Sequence, residues 1–306
     1  MITARAHSKV NLYLGVGDAR EDGYHELETV FQSLSLQDTL EFTPAEESAD
    51  SAVNALTVSG LGAGQVPTTP DNLVWKAVDL MVAEHRRCGG SSLPTMDIHL
   101  RKGIPTAGGM AGGSADAAAA LRAMNTLTGF DEATLLDMAA ELGSDVPFTL
   151  LGGTMLGTGR GEQLVPVLSR GTYHWALAFN SAGLSTPKVF HTLDAMREKN
   201  PDLPRATGIA DLSAALLSGD PKQVAQHLAN DLQAPALSLM PALRKTLLAG
   251  EQAGALRAMV SGSGPTVAYL CESAEHAAEV AEFVLDAGVA TATAVAHGPV
   301  GGATAN

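Results

Sequence analysis

The chain has 306 residues, 45% of them hydrophobic and 17% charged, which is the composition of an ordinary soluble protein with core enough for about two domains. Its 33 acidic and 19 basic residues leave a formal net charge of −14, which excludes broad electrostatic docking on nucleic acid, a mode that needs a basic footprint. A small anionic substrate stays open to it if basic groups gather locally.

Residues 2–16 alternate. Ile2, Ala4, Ala6, Val10, Leu12 and Leu14 fall on one face of a predicted strand and Arg5, His7, Lys9, Asn11 and Tyr13 on the other, so Lys9 and Asn11 share a face. Asp22-Gly23 is a hairpin-turn signal, and 24–36 reads as the returning strand or pair of strands. Residues 44–70, rich in Ala, Ser, Gly and Thr, give a short strand around 56–58 between exposed loops. Asp71-Asn72-Leu73 caps a helix to about 85, and 96–100 is a strand that leads into a glycine loop. An alanine-rich helix follows with Ser114 as its N-cap and Gly129 as its stop. A helix at 131–142 runs from Asp131 to a stop at Gly143, and 144–148 starts a third that ends at Gly152-Gly153.

Beyond about 157 the pattern changes to a strand at 175–179, then helices at 186–198, 208–218, 221–228 and 238–253. Strands at 257–260 and 266–271 flank Ser261-Gly262-Ser263-Gly264-Pro265, a helix covers 274–287, a last strand covers 289–296, and 298–306 is a small polar tail. The chain thus reads as α+β in two domains, 1–157 and 158–306. Cys88 and Cys271 make neither a disulfide framework nor a metal-ligand spacing, as in a reducing cytoplasm. The alternating N-terminus is unlike a signal peptide, and no apolar run approaches the ~18 to 20 residues of a membrane span.

The segment Pro105-Thr106-Ala107-Gly108-Gly109-Met110-Ala111-Gly112-Gly113-Ser114 runs straight into the alanine helix. Glycines leave backbone N–H groups uncovered and tolerate positive φ, while the helix start offers unpaired N–H groups and the positive end of its dipole, so the loop is suited to hold phosphate. It is neither a P-loop, because Ser114-Ala115 follows Gly113 where a lysine is required, nor a dinucleotide fingerprint, because Met110 breaks the glycine spacing. The plainer alternative is a flexible linker, which has no reason to abut so strong a helix former. Between Gly103 and Leu121 the only charge is Asp116, so the loop's selectivity rests mainly on backbone geometry.

Lys9 with Asn11, Asp145 and this loop make a set suited to phosphoryl transfer: N–H groups for the phosphates, an ammonium to offset charge, and a carboxylate to accept or orient a hydroxyl proton. Each has a simpler reading. Asp145 is open to being only a helix cap, Lys9 a solvated strand lysine, and Ser261 to Pro265 a bare turn. Tyr24 and Phe190 read as core aromatics, and His25 as a satisfied histidine, as readily as ligand contacts.

Taken together, Lys9-Val10-Asn11-Leu12, residues 105–118 and Val260-Ser261-Gly262-Ser263-Gly264-Pro265 resemble, in order, the three motifs of the kinase superfamily named for galactokinase, homoserine kinase, mevalonate kinase and phosphomevalonate kinase. The resemblance implies an N-terminal ATP-binding α/β domain (ribosomal-protein-S5-domain-2-like), a C-terminal ferredoxin-like α+β domain, and transfer of phosphate from ATP with Mg²⁺ to a small alcohol. Asp22-Gly23-Tyr24-His25, Asp71-Asn72-Leu73, Leu142-Gly143-Ser144-Asp145-Val146-Pro147 and Ser185-Thr186-Pro187 narrow it to the branch that phosphorylates the 2-hydroxyl of a cytidine-diphosphate-linked methylerythritol in non-mevalonate isoprenoid synthesis.

By matched position, the resemblance implies Lys9 and Asp145 as catalytic, and Asn11 beside the erythritol. Tyr24 and Phe190 would sandwich cytosine, His25 would hydrogen-bond it, and Thr186, Gly262, Ser263 and Gly264 would line the acceptor. Asn72 and Lys102 match positions near adenine, and Pro105 with Gly108, Gly109, Met110, Ala111, Gly112, Gly113 and Ser114 match the triphosphate loop. The chain departs from the pattern at Thr106-Ala107, Met110-Ala111 and Asp116, the last open to touching metal or capping the helix, and no residue is assigned as a metal ligand. The implied protein is a cytoplasmic monomer or weak homodimer without nucleic-acid or membrane partners. A mevalonate- or homoserine-type kinase and a non-catalytic nucleotide-binding relative are the alternatives.

Overall fold

The computed structural model describes residues 1–20, 23–45, 51–106, 108–180 and 182–306; Asp22 of the turn signal and Ala107 of the glycine loop lie outside them. Strand β1 (Ile2–Ala19) returns as β2 (His25–Pro44), and β3 (Val53–Gly60) follows. Helix α1 (Leu73–Arg87) starts at Asn72, whose side chain accepts the Val74 N–H, as its sequence predicts. Then come β4 (Met96–Lys102), α2 (Gly112–Thr128), α3 (Glu132–Leu142), α4 (Val146–Leu151), β5 (Thr154–Thr158) and β6 (Gln163–Pro166).

Two short strands from the far end of the chain, β8 (Ala229–Asn230) and β12 (Thr304–Ala305), complete the first sheet. Its order is β12-β1-β2-β4-β3, with β5 and β6 extending from β2, and β8 pairing with β1. Pairing is antiparallel except for β3 with β4 and β8 with β1. Helix α2 packs between α1 and β1, and Ala115 through Leu121 are buried all round it. A helix without a polar face belongs inside a core, and alanine lets its neighbours come close. That burial fixes the helix whose first turn ends the glycine loop.

The second sheet is built from β7 (Tyr173–Phe179), β9 (Arg257–Val260), β10 (Val267–Cys271) and β11 (Ala292–Gly298), all antiparallel, in the order β11-β7-β10-β9. With α10 (Ala274–Asp286) between β10 and β11, and helical connections between β7 and β9, this is the ferredoxin-like arrangement. Those connections are α5 (Thr186–Lys199), α6 (Ile209–Ser218), α7 (Pro221–His227), α8 (Gln233–Leu239) and α9 (Leu243–Gln252). Trp175 and Tyr269 are fully buried in this half, and burying side chains of this size contributes about 1.5–3 kcal/mol each.

Three expectations need correcting. The single helix expected over 238–253 is two, α8 and α9, because Pro241 lacks an N–H and forces Met240 out of helical geometry (φ −133°, ψ 80°). Ser114 is not the N-cap of α2: the helix begins at Gly112 behind Ala111, and Ser114 sits inside its first turn. The residues expected as a tail, 298–306, instead include β12, which pairs Ala4 with Ala305. Their small size serves close packing, since a methyl group on Gly302 would stand 2.1 Å from the Leu150 carbonyl oxygen. No helix among the described residues is long and apolar enough to cross a membrane.

Candidate active site

Lys9 and Asn11 project together from β1, as alternation predicts, before a register shift between Asn11 and Tyr13 breaks the pattern. Both are buried, so Lys9 is no solvated strand lysine. Its Nζ donates to Asn11 Oδ1 (2.7 Å), Asn11 Nδ2 donates to Thr29 Oγ1 (2.8 Å), and Thr29 Oγ1 donates to the Tyr13 carbonyl (2.7 Å). This relay fixes the ammonium 3.7 Å from Asp145 Oδ2. Asp145 precedes α4 but its side chain makes no capping hydrogen bond, so the plain helix-cap reading fails; the carboxylate is turned to the lysine and stays 30% exposed.

The glycine loop meets this pair from the other side. Gly109 (φ 72°) and Ala111 (φ 59°) both take the left-handed conformation, which for alanine is costly and marks a loop held in one shape by its surroundings. The Met110 side chain is buried, and its carbonyl accepts the Lys9 N–H (3.3 Å), so the loop is tied to β1. Its first helical bond runs from the Ala115 N–H to the Ala111 carbonyl (2.8 Å), which leaves the N–H groups of Gly112, Gly113 and Ser114 at the free helix end. Pro105 lies under the turn, with its Cβ 3.5 Å from where a methyl on Gly108 would be.

The third motif closes the ring. Ser261 Oγ donates to the Gly109 carbonyl (3.1 Å), and a methyl on Gly109 would stand 2.3 Å from the Ser261 carbonyl oxygen. A methyl on Gly262 would lie 3.4 Å from Asn11 Oδ1 and 3.5 Å from Lys9 Nζ. Gly264 turns the chain at φ 77°, and Ser263 Oγ is 2.8 Å from Thr186 Oγ1. The three motifs, far apart in sequence, thus border one cavity of ≈ 190 Å³, lined by Lys9, Asn11, Gly109, Asp145, Thr186 and Gly262 among others.

A second cavity (≈ 200 Å³) lies at the other end of the loop, lined by Asn72, Leu73, Lys102, Thr106, Gly113 and Asp116 among others. Lys102 is there, but its ammonium is bound to two carboxylates, Asp38 and Asp116, the latter at 2.7 Å. Asp38 also accepts the N–H groups of Gly103 (2.6 Å) and Ile104 (2.8 Å), and all three side chains are buried. Burial works against the charged lysine, yet Asp116 and Asp38 outweigh it and raise its pKa. Burial pushes the Asp116 carboxyl well above the usual range, with Lys102 opposing and Asp38 adding to the rise. Asp116 therefore neither caps α2 nor stands alone; it bridges the helix to the strand that enters the loop.

A third cavity (≈ 400 Å³) holds the residues expected around a base, Tyr24, His25 and Phe190, together with Thr186. Tyr24 is 54% exposed, unlike a core aromatic. His25 Nε2 lies 2.8 Å from Asp194 Oδ1, and the His25 and Phe190 rings are 5.0 Å apart. Sequence reasoning missed Arg160, which lines both this cavity and the Lys9–Asp145 cavity; the available signal was one basic residue between the glycines of Gly159-Arg160-Gly161. It also missed Asp38, which nothing local marks, since its partners lie 64 or more residues away.

Residues 72–153 match the GHMP kinase N-terminal domain and residues 212–290 the GHMP kinase C-terminal domain. The chain is 56% identical over 309 residues to 4-diphosphocytidyl-2-C-methyl-D-erythritol kinase of Corynebacterium efficiens, covering 100% of this chain and 96% of that protein. It is 59% identical over 312 residues to the Corynebacterium diphtheriae protein of the same name, covering 99% and 97%. Among solved structures, that of a 4-(cytidine 5'-diphospho)-2C-methyl-D-erythritol kinase superposes with a TM-score of 0.78 at 30% identity, over 98% of this chain and 100% of that one.

Proposed function

The chain belongs to the 4-diphosphocytidyl-2-C-methyl-D-erythritol kinases of the GHMP family, and on that premise we propose how its cleft phosphorylates the 2-hydroxyl of that alcohol with ATP. ATP lies along the glycine loop, its base in the cavity of Asn72 and Lys102, and its phosphates on the N–H groups that start α2. The acceptor's cytosine enters between Tyr24 and Phe190 beside His25, and its erythritol reaches Asn11, Thr186 and Gly262 to Gly264.

Asp145 accepts or orients the hydroxyl proton as the new O–P bond forms and the bond from the γ-phosphorus to ADP breaks. Lys9, held by Asn11, offsets the charge on the transferring group. Among the described residues no group of three or more His, Cys, Asp or Glu side chains could hold a metal ion by itself, so Mg²⁺ would be held mainly by the nucleotide and would supply neutralisation of phosphate charge. We place the reaction in the cytoplasm, in keeping with the free Cys88 and Cys271, and take the acting species as a monomer or weak homodimer. The proposed division at 157/158 into ATP-binding and C-terminal domains falls at the last residue of β5 and short of β6, which still pairs with β5 before the second sheet starts at Tyr173.

The observation that carries this reading is the Lys9–Asp145 pair facing one cavity between the glycine loop and the aromatic cavity. A mevalonate- or homoserine-type acceptor leaves Tyr24, His25 and Phe190 without a task. The test is a γ-phosphate transfer assay against alcohols with and without a cytidine diphosphate group. Transfer to the cytidyl-linked methylerythritol is expected, and transfer only to the others overturns the reading.

A further inference from the structure

The proposed acceptor has a diphosphate between its cytidine and its erythritol, and the role of Arg160 rests on that reading of the acceptor. The cavity of Lys9 and Asp145 and the cavity of Tyr24 and His25 share Leu27, Ser144, Arg160, Thr186 and Phe190. A ligand with its base in one and its hydroxyl in the other must pass these five residues, and Arg160 is the only charged one. Lys9 is already engaged by Asn11 and Asp145 at the hydroxyl end, and Glu141 adds a negative charge to the wall of the aromatic cavity. In a chain of net charge −14, a diphosphate needs a cation placed on its path.

The turn that carries Arg160 is built to hold it there. Gly159 (φ 72°) and Gly161 (φ 102°) flank it in conformations that favour glycine. The Gly159 N–H donates to Glu26 Oε1 (2.9 Å), the Gly159 carbonyl accepts the Leu27 N–H (2.8 Å), and the Arg160 N–H donates to Glu162 Oε2 (2.7 Å). A methyl on Gly161 would stand 3.3 Å from the Phe31 ring, so the turn lies flat against β2. From this anchored backbone the guanidinium reaches over Tyr24, with its Cζ 5.3 Å from the ring centroid and its Nε 3.6 Å from Glu162 Oε1. Glu162 engages the Nε side, and the side chain stays 40% exposed, so the two terminal nitrogens can meet a ligand.

We infer that Arg160, stacked on Tyr24, binds the diphosphate of the acceptor and makes the site select a cytidine diphosphate over cytidine alone. A planar fork of donors suits two adjacent phosphate oxygens, and hydrogen bonds to charged groups contribute more than neutral ones. The aromatic cavity would then recognise the base and Arg160 the linkage.

The test is calorimetric binding of cytidine and of cytidine diphosphate to the full chain and to its Arg160→Gln and Arg160→Lys variants, with acceptor kinetics alongside. In Arg160→Gln the diphosphate should bind about 10- to 100-fold more weakly while cytidine changes less than about twofold. The KM for the acceptor should rise by a similar factor, with kcat and the KM for ATP within about twofold. Arg160→Lys should recover part of the loss, because a point charge replaces a fork. Equal weakening of cytidine and its diphosphate would reduce Arg160 to a support for the Tyr24 stack, and an unchanged diphosphate affinity would remove it from recognition; either result overturns the inference. A wild-type chain that phosphorylates only non-cytidyl alcohols would instead sink the reading of the acceptor itself.

Discussion

Lys9 and Lys102 stand on strands of the same sheet and are each 5% exposed, yet their surroundings differ in one respect. Lys102 is held by two buried carboxylates, one of which also takes the backbone N–H groups that lead into the glycine loop. Among the described residues Lys9 has one carboxylate, at 3.7 Å, which is partly open to a cavity. A buried cation whose partners are as buried as itself has been spent on architecture, because disturbing it leaves charge uncompensated in a medium of low dielectric. One whose partner faces solvent keeps capacity for an incoming group. The contrast thus sorts two lysines that motif matching alone both assigns to ligands.

The largest effect that tests this contrast is structural. Lys102→Met should destabilise the fold by about 3–5 kcal/mol in urea unfolding, because Asp38 and Asp116 lose their shared cation. A variant of wild-type stability that merely binds ATP poorly would return Lys102 to the nucleotide and break the contrast. At the other lysine, Asp145→Asn should slow phosphoryl transfer by ~10²-fold or more while ATP affinity and unfolding midpoint stay close to wild type. Normal turnover there would end the catalytic assignment.

Smaller effects sharpen the picture between them. Gly112→Val should weaken ATP binding by roughly tenfold in direct titration, because its side chain would cover the donor N–H groups and press on Ile104, 3.2 Å from the new Cβ. Unchanged affinity would move the phosphates off this loop. Asp116→Asn should act mainly on pH dependence. The folded protein holds the Asp116 carboxyl above its ordinary value, so the unfolded chain ionises first, near pH 4. Wild-type stability should therefore lose up to about 1.4 kcal/mol per pH unit from there until Asp116 ionises in the folded state, and the variant should lack this slope. Lys102, raised above its ordinary value, contributes stability that is lost only in the alkaline range, so the two are separable in one titration of unfolding. Identical slopes in both proteins would place the proton elsewhere.

What was readable from sequence is what local physics decides. Asn72 and Asp131 cap helices because a short polar side chain there meets an N–H two or three residues on, and Gly129 ends α2 because it takes φ 71°. The shared face of Lys9 and Asn11 follows from strand alternation. Ser114 misled because the loop enters α2 through Ala111 in a left-handed conformation and not through a cap, two residues after Gly109 packs against Ser261 and Gly262. The tail misled because a glycine-rich composition marks both chain without packing and chain packed very closely. Arg160 and the Asp38–Lys102–Asp116 group were unreadable for another reason: their meaning lies in partners brought close only by the fold.

The stitch between Gly109 and Ser261 has a mechanical consequence for the cleft. A rigid-body swing of the ferredoxin-like half against the first sheet would pivot where the backbones already touch, because there is no slack at that point. Points beside a pivot travel least and points far from it travel most. Lys9, Asp145 and Gly262 would keep their spacing through such a swing, while opening the aromatic rim would have to part His25 from Asp194, now 2.8 Å apart.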